Sequence, residues 1–438
     1  MQNSKRFHVT TFGCQMNRHD SERMSGALSA LGLAPCEEVG EADVVVYNTC
    51  CVREHAEERF YGRLGELARE KRARPGMVVV VTGCVAQKDG EKVFRRAPHV
   101  DVVLGTKSEA ALARLVSEHF GGGRGRICEV GEAETEIFDL PSLRESPVHG
   151  WISIMTGCDN FCTYCIVPHV RGRERSRPVE QILDEAARMR DEGVLDVTLL
   201  GQNVNSYGRD LYGRPRFAKL LREMDEVGID RVRFTTSHPK DLCGETLAAV
   251  ASSRHVCHHI HLPLQSGSTR ILERMNRRYT KEDYLSLIGR IRETLPGASI
   301  STDVMVGFPG ETERDFADTL DVVAASGYDQ AFTFVYSPRS GTSAAEMDAQ
   351  VPPETKRDRL NRLVEVVADG ALRANLAYVG KEVEVLVEGQ SEKDPKRLSG
   401  RTRTNKLVHF EGPLELRHDL VGVRISSAQT WYLEGSLA

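Results

Sequence analysis

The chain has 438 residues, 40% hydrophobic and 28% charged, with a formal net charge of −5. That length supports two or three domains around sizeable cores, and the slightly acidic balance excludes a chain-wide basic field for nucleic acid, so RNA binding has to come from local patches. No apolar stretch is long enough to span a bilayer, and the first residues lack an apolar signal core, so the expectation is a cytoplasmic protein that keeps its eleven cysteines reduced.

Residues 5 to about 145 read as α/β. Residues 8–12 form a short strand, Gly13-Cys14 turns the chain, and a helix starts near Asp20. A buried strand over 42–47 ends at Asn48-Thr49-Cys50, and a charged helix follows from Arg53 through Lys71. A third strand over 76–81 ends at Thr82-Gly83-Cys84, and a fourth spans 100–105. Continuous apolar strands alternating with helices predict an open parallel sheet covered on both faces. A linker begins at Gly121-Gly122-Gly123-Arg124-Gly125 and stays polar to about Pro147. From Gly150 to about Ser340 the alternation resumes, with strands at 196–200, 231–235, 259–262, 299–306 and 331–334. These are too few units to close eight, so the pattern predicts a partial β/α, TIM-like barrel. From Gly380 onward the period changes to two, with short strands at 382–389, 408–410, 421–425 and 430–435 and glycine turns between them. That predicts a small antiparallel β-barrel. The expected domains are 5–121, 144–374 and 377–438.

The chemistry concentrates in cysteines. Cys158, Cys162 and Cys165 lie within Gly157-Cys158-Asp159-Asn160-Phe161-Cys162-Thr163-Tyr164-Cys165. Three thiolates on one loop suit a 4Fe-4S cluster, which takes four ligands and prefers soft donors, and they leave one iron open. A zinc site would more commonly show two separated Cys-x-x-Cys pairs. A second set, Cys14, Cys50 and Cys84, is scattered in sequence, yet each lies just past the end of a predicted parallel strand. Loops at that edge converge, so these three are expected to meet and hold a second cluster. Cys51 adjoins Cys50, and strand-end geometry favours only one of the two as a ligand. Cys36, Cys128, Cys243 and Cys257 fall into no such pattern and read as structural.

The spacing Cys-x-x-x-Cys-x-x-Cys with an aromatic before the last cysteine, together with Pro168 and the run Arg171-Gly172-Arg173-Glu174-Arg175-Ser176-Arg177-Pro178, resembles the radical S-adenosylmethionine (SAM) enzymes. Thr11-Phe12-Gly13-Cys14-Gln15-Met16-Asn17 with Asp20-Ser21-Glu22, Asn48-Thr49-Cys50 with Val52-Arg53-Glu54 and Ala56, and Gly83-Cys84-Val85-Ala86-Gln87 resemble the methylthiotransferases within that group. The resemblance covers essentially the whole chain, and the C-terminal barrel looks like a TRAM domain. Val52-Arg53-Glu54 and Leu200-Gly201-Gln202-Asn203-Val204-Asn205-Ser206-Tyr207 are most similar to the branch acting on tRNA. Cys51 departs from the family, which usually has a small residue such as Ser there.

The resemblance implies two 4Fe-4S clusters and SAM as cofactors. Cys158, Cys162 and Cys165 would hold the cluster that cleaves SAM to a 5′-deoxyadenosyl radical, and Cys14, Cys50 and Cys84 the cluster that carries the inserted sulfur. Gly201, Gln202 and Asn203, then Thr302, Asp303, Gly307 and Glu311, would contact SAM. The implied reaction transfers a methylthio group to C2 of N6-(dimethylallyl)adenosine at position 37 of tRNA, next to the anticodon, consuming two SAM. A C2–H bond on an aromatic ring is strong and non-acidic, beyond an ordinary general base but within reach of a carbon radical. The alternatives are methylthiolation of an aspartate on a ribosomal protein, and a non-catalytic iron–sulfur RNA-binding protein. Expected partners are the tRNA anticodon stem-loop, a reducing electron donor and a sulfur or iron–sulfur supply system, with no membrane and a monomeric chain. Arg171, Arg173, Arg175 and Arg177 after the cluster loop, with Arg401, Arg403, Asn405 and Lys406 in the barrel, are the candidate RNA contacts. Trp431 and Tyr432 suit either base stacking or, more readily, the core of a small barrel.

Overall fold

The computed structural model describes residues 4–51, 54–123, 125–131 and 140–438. Val52, Arg53 and Arg124, quoted above, lie outside them. The chain forms two compact units, one of residues 1–159 with 165–177, the other of residues 160–164 with 178–438.

The first unit is built on β1 (Arg6–Thr11), α1 (Gln15–Ala30), β2 (Ala34–Pro35), β3 (Val44–Thr49), α2 (Glu54–Ala73), β4 (Val78–Gly83), α3 (Cys84–Asp89), α4 (Lys92–Arg96), β5 (Val102–Leu104), α5 (Leu112–Phe120) and β6 (Ile127–Glu129). The strands make one parallel sheet in the order β2-β1-β3-β4-β5-β6. Every residue of β3 and β4 is buried, which is why both read as unbroken apolar runs rather than alternating ones. Val45, Tyr47, Val79, Val81 and Val103 pack on one face with Phe60 and Leu64 of α2. Val44, Val46, Val78, Val80 and Val102 pack on the other with Met24 and Leu28 of α1 and Leu115 of α5. Buried aliphatic side chains of this kind contribute roughly 1.5–3 kcal/mol each. The remaining elements of this unit are β7 (His149–Ser153), β8 (Met155–Thr156), α6 (Val167–Val170) and β9 (Arg175–Ser176), with β8 and β9 antiparallel.

Two expectations shift. The first helix starts at Gln15, directly after Cys14, rather than near Asp20. The stretch taken as linker contains β6, which pairs with β5 at the sheet edge; three residues flanked by glycines carry too little pattern to be seen in advance.

The second unit continues with α7 (Val179–Asp191), β10 (Asp196–Leu200), α8 (Arg209–Tyr212), α9 (Phe217–Val227), β11 (Arg231–Phe234), α10 (Gly244–Ser252), β12 (His259–His261), α11 (Thr269–Arg274), α12 (Lys281–Thr294), β13 (Ser299–Val306), α13 (Glu313–Ser326), β14 (Gln330–Val335) and α14 (Pro353–Leu376). β10 and β11 are parallel, as are β12, β13 and β14, and single parallel bridges join Val232 to Val256 and Gln265 to Val304. This is the expected partial β/α barrel. Thr280 with Asp283 and Thr312 with Asp315 form capping boxes that start α12 and α13. Then β15 (Glu382–Gln390), β16 (Arg397–Thr402), β17 (Leu407–Glu411), β18 (Leu420–Ala428) and β19 (Leu433–Leu437) close a barrel in the order β15-β16-β17-β19-β18. All its pairs are antiparallel except β17 with β19. Val385, Val387, Leu398, Val408, Phe410, Val423, Ile425 and Leu433 fill it. Trp431 is 53% exposed, so the barrel core does not use it; Tyr432 sets its ring edge-on to His409.

Candidate active site

Register decides where the first cysteine set falls. Thr11 pairs with Asn48, and Thr49 with Gly83, so β1, β3 and β4 stop at one edge of the sheet. The residues that follow are Cys14 at the start of α1, Cys50, and Cys84 as the first residue of α3. Gly83 makes the last turn possible: its φ is +87°, and a Cβ there would lie 2.3 Å from the Thr49 carbonyl oxygen. The Cys14 thiol donates to Asn17 Oδ1 at 3.2 Å, and Asn17 Nδ2 donates to Asn48 Oδ1 and the Thr49 carbonyl, tying α1 to the end of β3.

The thiols also bond one another. Cys14 is pulled down to about 6, chiefly by a hydrogen bond from Cys50 and, against burial, by the charge of Arg171. Cys84 is pulled down to about 7 by a hydrogen bond with Cys51, again helped by Arg171. Cys51 is pushed up by the same bond and by burial. Cys50 and Cys51 therefore both reach the thiol group, where one alone was expected. The strand ends at Thr49 and the chain bends at Cys51, so strand alternation no longer holds there.

Around the thiols sits a buried charged set. Arg171, expected at the surface, is 8% exposed and bonds Asp20 Oδ2 at 2.7 Å. Glu109 is 2% exposed, its Oε1 has no hydrogen-bond partner among the described residues, and its carboxyl is held well above the usual range by burial and by Asp20. Asn17, Arg23 and Asn48 are buried beside them.

The loop carrying Cys158, Cys162 and Cys165 buries the first two and half-buries the third. Gly157 opens it at φ +77°, where a Cβ would strike the Arg173 carbonyl. The Cys158 N–H donates to the Gly172 carbonyl at 3.1 Å. In the second unit, residues 160–164 are held by residues 274–277: Thr163 N–H donates to the Met275 carbonyl, and Asn276 Nδ2 donates to the carbonyls of Asn160 and Phe161.

Among the described residues no three His, Cys, Asp or Glu side chains converge closely enough for one shared metal ion. An iron–sulfur cube distributes its thiolates one to each iron, so its ligands stand further apart than those of a single ion. The donor chemistry fits: soft thiols, two with lowered pKa, beside a fixed cation.

For SAM, the informative residues follow β10 and β11. Gln202 Oε1, Asn203 Oδ1 and both side-chain polar atoms of Asn205 are buried without hydrogen-bond partners among the described residues. Ser237 Oγ and His238 Nε2, past the end of β11, are in the same condition. Asn203 is oriented by its Nδ2, which donates to Asp241 Oδ2 at 2.7 Å. Buried polar atoms are nearly always satisfied, so this group at barrel strand ends calls for a polar ligand. Gln202 and Asn203 are singled out in the sequence; Asn205, Ser237 and His238 join them in the same unsatisfied condition through fold convergence, not local sequence.

Other expected SAM contacts are committed internally. Thr302 is fully buried, donating to the Leu262 carbonyl and accepting from Leu264 N–H. Glu311 accepts from Gly307 N–H at 3.0 Å and pairs with Arg359 at 2.7 Å, so Gly307 and Glu311 form a closed turn. Asp303 stays half-exposed, 3.4 Å from His261.

The expected RNA cations divide likewise. Arg177 is buried, as Arg171 is, whereas Arg173 and Arg175 are exposed, Arg173 with a bond to Asp159. Lys406 is 7% exposed, its ammonium 2.7 Å from both Asp329 and Asn375. Arg403 donates to the carbonyls of Asp230 and Arg254, and Arg401 to that of Asn405 while pairing with Glu388. These barrel cations fasten local structure: Lys406 and Arg403 hold the barrel to the β/α core, leaving Lys406 no face for a phosphate.

Three family models match the chain: Uncharacterized protein family UPF0004 over residues 6–105, the Radical SAM superfamily over 152–323 and the TRAM domain over 376–438. The tRNA-2-methylthio-N(6)-dimethylallyladenosine synthase of Moorella thermoacetica is 51% identical over 437 residues, covering 99% of this chain and 98% of its own. The protein of the same name from Clostridium novyi is 48% identical, covering 99% and 97%. Among solved structures, the radical SAM methyltransferase TsrM of Kitasatospora setae, with cobalamin and a 4Fe-4S cluster bound, superposes with a TM-score of 0.58 at 16% identity, over 78% of this chain and 74% of that one. The cobalamin-dependent radical SAM enzyme OxsB gives 0.54 at 13%, over 83% and 56%; these two likenesses speak for the fold alone. The chain belongs to the family of the tRNA-2-methylthio-N(6)-dimethylallyladenosine synthases and is a radical SAM methylthiotransferase that uses SAM and iron–sulfur chemistry.

Proposed function

We propose that this enzyme transfers a methylthio group to C2 of N6-(dimethylallyl)adenosine next to the anticodon of tRNA, using two iron–sulfur clusters and two SAM. The observation that carries this reading is that Cys14, Cys50 and Cys84 all follow strand ends at one sheet edge, with Cys14 bonded to Cys50 and Cys84 to Cys51, in addition to the Cys158–Cys162–Cys165 loop. When bound, the clusters supply the electron that cleaves SAM to a carbon radical and the sulfur that is inserted. The chain's own residues do the rest. Arg171 and Asn17 hold the first thiol set in place, and Arg171's charge favours thiolates there. Gln202, Asn203, Asn205, Ser237 and His238 offer hydrogen bonds to SAM. His238 is kept neutral by burial and by neighbouring Arg277 and Lys240, and because its Nδ1 accepts from Lys240 N–H, its Nε2 carries the proton and can donate. Arg173 and Arg175 face solvent and suit phosphate contacts, and the exposed Trp431 suits base stacking.

The test separates the two thiol sets. Anaerobically reconstituted Cys14→Ala, Cys84→Ala and combined Cys50→Ala, Cys51→Ala proteins, given SAM and strong reductant, are expected to form 5′-deoxyadenosine but no methylthiolated tRNA. Product from any of them would refute the two-cluster reading. Unchanged methylthio-adenosine in the tRNA of a deletion strain would redirect the substrate to a ribosomal protein.

A further inference from the structure

Arg277 is 5% exposed. Its Nη2 donates to the Pro263 carbonyl at 3.0 Å, its Nε to the Tyr279 hydroxyl at 3.1 Å, and its Nη1 to Cys162 Sγ at 3.6 Å. None of these partners is a carboxylate, and among the described residues Arg277 has no ion pair. Arg171, Arg231 and Arg359, equally buried, hold Asp20, Glu384 and Glu311. Burying a guanidinium without a counter-ion costs several kcal/mol, and Arg cannot shed its proton to escape that cost. The groups that bear on its charge are Tyr164, Tyr279 and Cys162. Of these, the cysteine is the one that ligation makes anionic.

The surrounding loop is built for that contact. Residues 274–277 clasp residues 160–163 through Thr163 N–H to Met275, Thr163 Oγ1 to Arg274 and Asn276 Nδ2 to Asn160 and Phe161. Two non-glycine residues in the clasp, Phe161 and Asn276, and Arg278 just after it have φ of +48°, +57° and +58°. Backbone in that region is costly and tends to collect where function fixes geometry.

We propose that Arg277 is the counter-charge and positioning residue of the SAM-cleaving cluster, donating an N–H···S bond to the Cys162 thiolate. This rests on Cys162 being a ligand of that cluster. The fixed positive charge stabilises the reduced, more negative state and so raises the potential at which the cluster accepts its electron. Through Tyr279, whose hydroxyl donates to the Leu264 carbonyl, the same side chain ties the clasp to the barrel.

The test uses the full chain, anaerobically reconstituted, as wild type, Arg277→Gln and Arg277→Lys. Iron is counted, and reduction is followed by electron paramagnetic resonance at fixed potentials with and without SAM, whose addition marks the cluster concerned. Arg277→Gln is expected to lower the reduced-to-oxidised ratio of the SAM-responsive cluster about tenfold, equivalent to about 59 mV for one electron, or to lose that cluster. Arg277→Lys should fall between. A glutamine variant with wild-type iron and an unshifted ratio overturns the inference. Without iron, the buried cation lacks its anion, so Arg277→Gln apoprotein should melt no lower than wild-type apoprotein. A clearly lower melting point, or failure to fold, would make the guanidinium a structural strut and overturn the proposal too. A wild-type chain with no SAM-responsive cluster would instead remove Cys162 as ligand, and the inference with it.

Discussion

The Asp20–Arg171 pair offers the sharpest test of how the thiols of Cys14 and Cys84 are held. The two side chains are almost fully buried and 2.7 Å apart. At an effective dielectric near 20, charges at that distance attract by about 6 kcal/mol. Desolvation offsets much of this, but removing one partner strands the other, at a cost of roughly 3–5 kcal/mol. Asp20→Asn should therefore lower the melting point of the first unit's apoprotein by about 10 °C, taking roughly 2–4 °C per kcal/mol at this size. Glu109 modifies the result. Its carboxyl is held well above the usual range first by burial and then by the charge of Asp20. Without that charge it ionises more readily and takes over part of the pairing, so the Asp20→Asn deficit should shrink as pH rises. Adding Glu109→Gln should restore the full, pH-independent deficit. Thermal melts of the three proteins below and above neutrality would decide it. An Asp20→Asn, Glu109→Gln double variant melting within about 2 °C of wild type, under 1 kcal/mol, would mean that the pair carries no buried charge worth holding.

Glu22 is nearly buried and its carboxyl is pushed up to about 7, burial being the largest cause. The folded state holds this proton more tightly than the unfolded state, so its contribution is most favourable at acidic pH and declines as pH rises towards 7. Glu22→Gln should match wild type in acid and be about 3 kcal/mol more stable above neutrality, read from denaturant melts at both ends; equal stability throughout would contradict the burial argument. Lys406→Met breaks the buried contacts to Asp329 and Asn375 and should cost about 3 kcal/mol in urea melts of apoprotein with no tRNA present. Arg173→Ala, on a side chain 74% exposed, should leave stability within about 0.5 kcal/mol and reduce the salt dependence of tRNA binding by about one charge. A reversal between those two would put Lys406 on the RNA and Arg173 in the fold.

The cysteines stand out in the sequence because a soft-metal cluster would demand that residue type. Cys158, Cys162 and Cys165 announce themselves by local spacing, and Cys14, Cys50 and Cys84 by a shared place after apolar strands whose register the structure bears out. The sheet, the partial barrel and the terminal barrel followed from periodicity. What escaped were elements with weak patterns. β16 reads Arg-Leu-Ser-Gly-Arg-Thr, and although Leu398, Gly400 and Thr402 alternate inward, only one of the three is a large apolar residue. β6 is too short to stand out. The charged residues misled for a different reason. Arg171 and Lys406 look like any surface cation until Asp20, 151 residues away, and Asp329 meet them across the fold.

That contrast bears on how two thiol sets can differ within one chain. Arg171 is already balanced by Asp20, with Glu109 in reserve, so its field at Cys14 and Cys84 is tempered by neighbouring acids. Among the described residues Arg277 has no such acid and faces Cys162 with its charge unbalanced. A fixed positive charge favours the more negative redox state, so the unbalanced site is the one better suited to take up an electron. The tempered site is better suited to keep thiolates without being reduced as readily. Both sets offer the same amino acid; what differs is the company that distant parts of the chain supply. Exchanging the two environments is therefore a stricter test than deleting either. Placing a carboxylate beside Arg277 through Tyr279→Glu should push the SAM-responsive cluster to more negative potential in the direction of Arg277→Gln, with Cys162 itself unchanged. A shift in the opposite direction would show that hydrogen bonding to sulfur, rather than charge balance, sets the difference.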